Sequence, residues 1–362
     1  MSGCRRRFLA AAGTAVLGGC TAPVAEPAAF EDHERHDTTI GFAGDTMLGR
    51  DLNRHYGQDD VDPASVWGDL QPRLKSLDAV CCNLECCLST RGEPFPDRTY
   101  HFRGDPEWAV PALSAGNVRF ASLANNHAMD YGTVALTDTI DALEAAGIDV
   151  AGAGESPAAA REPATFSVGA VTVAVVSFAD RYVGYAATDD RPGITHIKPD
   201  PANPETQQVV EEALERAQAH DPDLLVASVH WGPNWAERPS ELLIAFGHWL
   251  VDQGVDLVHG HSAHVVQAIE RYGNGVVLHD TGDFVDDFGT KDDLGNDQSY
   301  LFEVTLEDGR LEEIRLVPIA INDGVSRASE DEAAWLRKTM RDRSETFGTT
   351  YERDGDGLVV SL

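Results

Sequence analysis

The sequence has 362 residues, and its 60 Asp and Glu residues against 28 Lys and Arg give a formal net charge of −32. So acidic a surface repels nucleic acid and anionic lipid headgroups, and we exclude both as binding partners of the folded part. Because the acidic residues are spread along the chain, we interpret them as adaptation to a saline medium rather than as a local acidic function.

The N-terminus is typical of a secretory leader. An arginine pair at positions 5 and 6 is followed by Phe8-Leu9 and by a short apolar run that ends at Cys20, which resembles a twin-arginine signal. The apolar run holds about a dozen residues, too few to span a bilayer as a helix. The sequence LGGC at 17–20 resembles a lipoprotein cleavage box with Cys20 as the lipidated residue, although Gly18 fits imperfectly. The alternative is an ordinary leader with a chance cysteine.

Residues 21–37 are predicted to form a flexible tether. They contain two prolines and several charged residues, and they show no apolar period. No later segment contains 18 consecutive apolar residues, so we expect no membrane span after the leader. Together these features predict an exported protein, anchored through a lipid at the outer face of the cytoplasmic membrane.

From residue 38 onward, short strands alternate with helices. Six continuous apolar runs that end at polar residues are predicted to be buried strands: 38–45, 78–85, 118–126, 223–232, 255–262 and 275–283. Helices are predicted at 132–147, 205–220, 239–254 and 329–348, and hairpins at 165–180 and 300–319. This order predicts a layered α/β domain with several strands directed at one edge.

The unusual polar residues of the chain fall at the carboxyl ends of the predicted strands, where α/β sheets carry their active sites. They are Asp45, Asn83, Glu85, Asn126, His127, His230, His261, His264 and Asp283. Any one histidine alone would be better explained as a satisfied core or surface residue. Together, carboxylates, an amide oxygen and neutral imidazoles are a ligand set for Zn, Mn or Fe.

Four cysteines fall within seven positions of the segment AVCCNLECCLST, residues 79–90. Alternation along a strand puts Asn83 and Glu85 on one face and Cys82 and Cys86 on the other, where thiols pack as small hydrophobic groups. A disulfide and a metal site remain as alternatives, although no second cysteine pair follows to complete a zinc site. We therefore expect the chemistry of this segment to lie in Asn83 and Glu85.

The ordered motifs resemble the CapA family of poly-γ-glutamate capsule biosynthesis proteins, which itself looks like a divergent branch of the calcineurin-type metallophosphoesterases. The motifs are GFAGDTMLGR, CCNLECCLS, SLANNHAMDYG, VASVHWGPNW, VHGHSAHVVQ and LHDTGDF. The resemblance implies an α/β fold, a layered metallophosphoesterase-like sandwich with helices flanking the sheets. It also suggests a division into a signal peptide (1–20), a tether (21–37), the CapA-like domain (38–325), and a C-terminal helix and tail (326–362).

The resemblance further implies a role for each residue of the set. Six are implied metal ligands, with Glu85 in the place of the carboxylate that bridges two metals: Asp45, Glu85, Asn126, His230, His261 and His264. His127 is similar to a catalytic acid that protonates the leaving group, and Asp130 is implied to orient it, unless Asp130 caps the following helix. The implied cofactor is one or two divalent transition metal ions, Mn, Zn or Fe.

Three further residues are predicted to bind substrate. Asn83 lies beside the implied bridging carboxylate, and Asp283 stands where the family usually has Asn. Arg103 is suited to pair with a phosphate or carboxylate of the substrate, and a surface salt bridge is the alternative for this lone arginine.

The chain departs from the metallophosphoesterase pattern in two places. Asp45 is followed by Thr46 and Met47 where these enzymes carry Asp-x-His, so one metal lacks a usual imidazole. The closing pair His261 and His264 is one residue longer than Gly-His-x-His. Both departures bear on whether the site is catalytic.

Two functions remain open from the sequence. The first is a metal-dependent hydrolase of a phosphoester, or of a related ester or amide, with a role in the synthesis or export of poly-γ-glutamate. The second is a non-catalytic accessory that binds this anionic polymer in the same cleft, beside capsule-synthesis membrane proteins. A surface of charge −32 repels such a polymer unless bound cations or high salt offset the repulsion.

Overall fold

The computed structural model describes residues 37–362. The predicted leader, the lipidation site Cys20 and residues 21–36 of the predicted tether lie outside this range. Within residues 37–362, no helix combines the length and the apolar character needed to cross a membrane.

Twenty strands make up the sheets of this range. They are β1 (Thr38–Thr46), β2 (Ala79–Leu84), β3 (Cys87–Leu88), β4 (Arg103–Gly104), β5 (Val118–Ser122), β6 (Asp149–Ala151), β7 (Ala153–Gly154), β8 (Ala164–Val168), β9 (Val171–Ala179), β10 (Gly193–Ile194), β11 (Leu224–His230), β12 (Leu257–His261), β13 (Ile269–Tyr272), β14 (Gly275–Leu278), β15 (Asp283–Val285), β16 (Gln298–Glu307), β17 (Arg310–Ile321), β18 (Val325–Arg327), β19 (Glu352–Asp354) and β20 (Gly357–Ser361).

Eight α-helices connect or cover the strands: α1 (Arg50–Tyr56), α2 (Gln71–Leu74), α3 (Pro106–Ala115), α4 (Gly132–Ala145), α5 (Pro157–Ala160), α6 (Pro204–Gln218), α7 (Glu241–Asp252) and α8 (Glu330–Ser344). Short 3-10 helices span Pro63–Leu70, Val183–Tyr185 and Glu345–Phe347. Side-chain caps define several starts: Asn203 accepts a hydrogen bond at the start of α6, Ser240 at α7, and Ser329 forms a capping box with Glu332 at α8.

Two large sheets carry the fold. The first has the order β19-β20-β17-β16-β1-β2-β5-β6, with β15 beside β1 and β18 beside β17; the second has the order β13-β14-β12-β11-β9-β8. Strands β1, β2, β5 and β6 run parallel, as do β9, β11, β12 and β14. The carboxyl ends of these parallel strands therefore meet at one edge of each sheet.

The two sheets face each other, and helices cover their outer faces. Phe42 and Phe120 of the first sheet share a buried cluster with Val226 and Leu257 of the second. Separate clusters join the first sheet to α3 and α4, and the second sheet to α6 and α7. Each fully buried aliphatic or aromatic side chain contributes about 1.5–3 kcal/mol through removal from water. The predicted layered α/β sandwich with flanking helices is confirmed.

Strand β11 shows why the predicted strands are continuous apolar runs. Leu224 and Val226 face the other sheet, whereas Leu225 and Ala227 face the helices. Since both faces are buried, both must be apolar. At the carboxyl end of the strand the inward face becomes polar, with His230, and this change marks the site.

The predicted helices and hairpins are present, and the structure also contains elements that were not predicted, among them α1, α3 and β6. Two further differences concern the site and the C-terminus. The predicted strand 275–283 ends at Leu278, and the chain then crosses to the first sheet, where β15 pairs with β1. The C-terminal segment, expected to be a helix and tail, also contains β19 and β20. The second of these, β20, pairs with β17 and extends the first sheet.

Candidate metal centre

The polar residues at the strand ends meet where the two sheets face each other. Asp45 on β1 is level with Asn83 on β2 and with Asp283 on β15. In the second sheet, His230 on β11 is level with His261 on β12. Parallel register thus brings residues distant in sequence into one buried site, as the sequence predicts.

A bulge in β1 aims Asp45 into the site. Phe42 faces the second sheet, so strict alternation would turn Asp45 toward the helices. The register with β2 shifts just before Asp45, so that Gly44 is an extra residue in the strand. The Asp45 amide donates to the carbonyl of Gly282 at 2.9 Å, and a Cβ on Gly44 would lie 1.9 Å from that same oxygen. Only glycine allows the two backbones to approach this closely.

Asp45, His230 and His261 form the first group of metal-capable side chains, with ligand atoms within 4.8 Å of one another. Oδ1 of Asp45 lies 3.8 Å from Nδ1 of His230 and 3.5 Å from Nδ1 of His261, and the two nitrogens are 2.9 Å apart. Burial lowers the pKa of His230 to about 3 and lowers the pKa of His261 well below its usual value. Both imidazoles are therefore neutral and can offer lone pairs to a cation.

Asp45, Glu85, His264 and Asp283 form the second group. Nδ1 of His264 lies 2.8 Å from Oδ1 of Asp283, 3.4 Å from Oδ2 of Asp45 and 4.0 Å from Oε2 of Glu85. Asp45 is thus common to both groups, whereas Glu85, the implied bridging carboxylate, belongs to one. Asp283, predicted to bind substrate, lies among the metal-capable residues.

Unpartnered buried oxygens make this donor set compatible with a divalent metal. Three buried carboxylate oxygens, both of Glu85 and Oδ2 of Asp283, have no hydrogen-bond partner within residues 37–362. Burial raises the pKa of Glu85 well above its usual value, and the nearby Asp45 raises it further. A buried carboxylate without a partner is costly, and a bound cation would satisfy it.

The electrostatics of Asp45 differ from those of Glu85. Burial alone raises the pKa of the Asp45 carboxyl, but the hydrogen bond from His264 and the nearby imidazoles outweigh it and leave the pKa below the usual value. His264 shows the converse balance, since Asp283 and Glu85 overcome burial and raise its pKa. Asp45 is consequently the carboxylate of the site that stays ionised most readily.

A chain of amides fixes the orientation of Asn83. The backbone N–H of His127 must donate, and it does so to Oδ1 of Asn125 at 2.9 Å. Nδ2 of Asn125 then donates to Oδ1 of Asn83 at 3.1 Å, which leaves Nδ2 of Asn83 to donate to Oδ1 of Asp45 at 2.7 Å. Nδ2 of Asn83 also lies 3.3 Å from Nδ1 of His230. Asn83 therefore supports the first group, and substrate contact stays a prediction for it.

Asn126 contacts the first group through an imidazole. Its Oδ1 lies 2.6 Å from Nε2 of His230. Since Asn83 faces Nδ1 of the same ring, the proton of His230 belongs on Nε2, which donates to Asn126. The predicted role of Asn126 as an amide ligand stays a prediction.

His127 and Asp130 form a buried pair at the rim of the site. Nδ1 of His127 lies 2.5 Å from Oδ2 of Asp130, and Nε2 of His127 lies 3.9 Å from Oε1 of Glu85. Asp130 does not cap α4, whose N-cap residue is Tyr131. The ring of His127 stacks on Phe102 with centroids 3.8 Å apart. The pair is oriented so that Nε2 is the nitrogen that faces the metal groups.

Two residues that sequence reasoning missed hold Asp130. The Tyr185 hydroxyl donates to Oδ1 of Asp130 at 2.7 Å, and Nη2 of Arg98 lies 3.4 Å from the same oxygen. Arg98 also donates to the carbonyl of Asn126 at 2.6 Å and lies over the ring of Tyr182. Arg98 and Tyr185 lie outside the predicted strands and helices, and no motif marks them. Asn125 did carry a signal, as the first residue of the Asn-Asn-His motif.

A cavity of about 370 Å³ opens over the site. Its lining includes His127, His264, four aromatic residues and two cations: Tyr100, Phe102, Trp235, Phe288, Arg50 and Lys291. Arg103, predicted to bind substrate, lies instead with its guanidinium 3.9 Å from the ring centroid of Tyr131 and is not among the lining residues. The structure brings the other predicted residues together and leaves Arg103 aside.

The loop between His261 and His264 is held in a strained shape. Ser262 has φ of 112° and His264 has φ of 59°, values that L-residues adopt at a cost of about 1–3 kcal/mol each. The Ser262 amide donates to Oδ2 of Asp45 at 3.2 Å, and the Ala263 amide donates to Oδ2 of Asp280 at 2.7 Å. These two hydrogen bonds hold the segment from His261 to His264, which is one residue longer than the metallophosphoesterase pattern. His264 thereby reaches the second group.

The family model of the bacterial capsule synthesis protein PGA_cap matches residues 39–288. The chain belongs to this family. A Mycobacterium tuberculosis member named "probable polyglutamine synthesis accessory protein" is 34% identical over 83% of this chain and 81% of its own. The capsule biosynthesis protein CapA of Bacillus anthracis is 29% identical over 92% of this chain and 80% of its own. The PGA biosynthesis protein CapA of Bacillus subtilis is 28% identical, over 90% and 82%. The predicted family is confirmed.

Proposed function

We propose that this protein acts in the synthesis or export of a poly-γ-glutamate capsule, as a metal-dependent hydrolase of a phosphoester or of a related ester or amide. The names of its relatives support the capsule role. One observation carries the hydrolase: two groups of metal-capable side chains share Asp45, and both buried oxygens of Glu85 lack a partner within the described residues. Such an arrangement suits a pair of divalent cations.

The two groups define which residues would hold the metals. Asp45, His230 and His261 would hold one ion, and Asp45 with Glu85, His264 and Asp283 the other. This set of carboxylate oxygens and imidazole nitrogens suits Zn, Mn or Fe. An ion of this kind, when bound, would polarise the scissile group and lower the pKa of a coordinated water toward neutrality.

His127 supplies the proton for the leaving group. Asp130 holds the Nδ1 proton of the ring, and its charge stabilises the imidazolium that forms when Nε2 takes up a second proton. Nε2 faces the metal groups and can pass that proton to a leaving oxygen or nitrogen. The Tyr185 hydroxyl and Arg98 hold the Asp130 carboxylate in place.

A second candidate is a non-catalytic accessory that binds the polymer in the same cavity. One observation favours it: Met47 stands in the place of a ligand histidine after Asp45, and its side chain is fully buried in the core. Arg50 and Lys291 at the cavity give a polyanion two cations to contact. This candidate needs a bound polymer and no turnover.

Metal content and turnover separate the candidates. Protein purified without a metal-affinity tag in high salt is analysed for metal per chain and then assayed on p-nitrophenyl phosphate, its diester and poly-γ-glutamate, with polymer length as a readout. Metal together with turnover that Glu85→Gln abolishes supports the hydrolase. Metal and polymer binding without turnover on any substrate supports the accessory. A folded protein that takes up no added metal contradicts the metal centre.

We further propose that the protein is exported by the twin-arginine route and anchored at the outer face of the cytoplasmic membrane through a lipid on Cys20. The leader residues support this proposal. The test is fractionation of the Cys20→Ala variant, which should move from the membrane to the medium. Cys4→Ala is the matched control and should remain with the membrane, and unchanged fractionation of Cys20→Ala would contradict the anchor.

A further inference from the structure

A buried chain of hydrogen-bonding side chains lies behind His261 and takes no part in the chemistry described above. It consists of Ser228 on β11, His259 on β12 and Thr281 on the segment that crosses between the sheets. Each of the three is at most 1% exposed. Polar side chains this deep in a core need a reason, because each must find partners for its donors and acceptors.

This chain of hydrogen-bonding side chains begins at His261, a member of the first group of metal-capable residues. Nδ1 of His261 faces Asp45 and His230, so a proton on that nitrogen would exclude a cation. A neutral His261 with a bare Nδ1 carries its proton on Nε2 and needs an acceptor there. Oγ of Ser228 lies 3.0 Å from Nε2 of His261 and is that acceptor.

The remaining side chains of this hydrogen-bonded chain all find partners for their donors and acceptors. When Ser228 accepts from His261, its own proton points to Nδ1 of His259 at 3.4 Å. A neutral ring that accepts a hydrogen bond at Nδ1 carries its one proton on Nε2, and Nε2 of His259 lies 3.3 Å from Oγ1 of Thr281. The Thr281 hydroxyl donates in turn to the backbone carbonyl of Gly260 at 3.0 Å. A carbonyl only accepts, so the chain ends there.

The competing arrangement reverses the direction in which hydrogen bonds are donated along these side chains. It puts the proton of His261 on Nδ1, where the bare Nδ1 of His230 accepts it at 2.9 Å. That arrangement fills the space between the two nitrogens with a proton. It suits a protein without metal and excludes ligation through Nδ1.

We propose that Ser228 and His259 are positioning residues that hold His261 in its Nε2–H tautomer, so that Nδ1 is the nitrogen it offers to a divalent metal. The proposal rests on the metal centre of the proposed function. It adds the ligating atom and the residues that select it, and Thr281 and the Gly260 carbonyl anchor the far end of the chain.

Ser177 gives a matched control for Ser228. It lies at the same level on the neighbouring strand β9 and is likewise buried. Within the described residues, its hydroxyl has no hydrogen-bond partner. Serine to alanine therefore removes the same atom at both positions, but only Ser228→Ala removes a contact with His261.

The test combines metal affinity with a direct view of the imidazoles in the full chain. Zinc affinity is measured by competition with a chromophoric chelator, and the ring nitrogens are observed by NMR on protein labelled with 15N-histidine, with and without Zn²⁺. We expect Ser228→Ala to lose about 10–100-fold in zinc affinity, the range typical of changes to residues that orient metal ligands. Ser177→Ala should stay within about twofold of the unmodified protein by the same reasoning.

In the zinc-loaded protein the His261 spectrum should show a protonated Nε2 and a metal-bound Nδ1. Thr281→Val, which keeps the side-chain shape, should weaken zinc binding in the same direction and serves if Ser228→Ala does not fold. Ligation through Nε2, or equal affinities for Ser228→Ala and Ser177→Ala, would overturn the proposal while the metal centre stands. Absence of zinc binding by the unmodified protein would overturn the metal centre and this proposal with it.

Discussion

Oε1 of Glu85 lies 3.8 Å from Nε2 of His230, beyond hydrogen-bond distance, although both groups are buried. The proton on Nε2 of His230 is donated to Asn126, so Oε1 of Glu85 receives no hydrogen bond from this ring. Oε2 of Glu85 likewise receives none from Nδ1 of His264, at 4.0 Å. This spacing sets Glu85 apart from Asp45, which is hydrogen-bonded to Asn83.

Glu85→Gln should abolish metal binding without lowering the stability of the metal-free protein. The amide keeps the size of the side chain and removes a charge that burial disfavours, so the metal-free variant should match or exceed the unmodified protein in Tm. The measurement is metal content together with thermal unfolding in the presence of chelator. The exposed Glu211 provides the control Glu211→Gln, which should keep the metal. If the Tm of the metal-free variant were well below that of the metal-free unmodified protein, the assignment of Glu85 as a metal ligand would be contradicted.

Removal of metal should lower the Tm of the unmodified protein. A ligand that binds only the folded state at 100 times its Kd stabilises it by about 2.7 kcal/mol. For a domain of this size that corresponds to roughly 4 °C. The measurement is thermal unfolding before and after dialysis against EDTA in high salt, with restoration by added Zn²⁺ or Mn²⁺. The metal-depleted Glu85→Gln variant should show no such restoration, and a restoration as large as that of the unmodified protein would argue for binding elsewhere.

Gly44→Ala should distort the bulge that aims Asp45. The new methyl group would meet the Gly282 carbonyl, a backbone atom that cannot move aside as a flexible side chain could. Overpacking of this kind costs about 1–3 kcal/mol, and displacement of Asp45 should reduce metal binding as well. The control is Gly289→Ala, since a Cβ there meets nothing within 4 Å among the described residues. Urea unfolding and metal content check the pair, and equal midpoints for the two variants would contradict the assignment.

Much of this site could be predicted because the rule behind it is simple. Parallel strands bring their carboxyl ends to one edge, so Asp45, Asn83, His230 and His261 could be placed together from the ends of apolar runs alone. The rule applies whatever the length or conformation of the loops that connect the strands. It also explains why the four cysteines at 81, 82, 86 and 87 could be separated from the chemistry: all four lie buried as free thiols, and neither metal-capable group found in residues 37–362 contains one.

The rest depended on tertiary contacts that carry no local pattern. Asp283 joins the second group because the chain crosses from one sheet to the other after Leu278, which the continuous run 275–283 conceals. Tyr185 and Arg98 reach Asp130 from segments outside the predicted elements. The last strands escaped prediction because β19 is short, charged and exposed, and so lacks the apolar alternation of a buried strand.

Tyr185→Phe should lower kcat while leaving metal content unchanged. The change removes one hydrogen bond to the buried Asp130 carboxylate, and a bond to a charged group contributes about 1.5–3 kcal/mol. Partial loss of that support for the His127 imidazolium corresponds to roughly a tenfold decrease in rate. Tyr182→Phe is the matched control, because its ring packs against Tyr185 and over Arg98 at the same loop. Equal rates for the two variants would remove Tyr185 from the orientation of His127.

The buried thiols should be unreactive in the folded protein, and their titration should lower its stability at high pH. Burial raises the pKa of Cys82 to about 12 and that of Cys87 to about 12, against about 8.5 for a free thiol. At pH 8 the thiolate fraction of such a group is roughly three orders of magnitude smaller than that of a free thiol, and burial further limits access. Because the folded state keeps these protons to a higher pH, the free energy of unfolding should fall as the pH rises from about 9 toward 12.

The measurement is alkylation with iodoacetamide at pH 8, followed by mass spectrometry of the peptide that contains residues 79–90. We expect no label on this peptide in the native protein and four labelled cysteines after unfolding in guanidinium chloride. Unfolding midpoints at pH 8 and pH 10 test the stability term, and the Cys82→Ala variant should show a smaller decrease between them. Rapid labelling of the native protein would show a reactive thiol and contradict the assignment of these cysteines to the core.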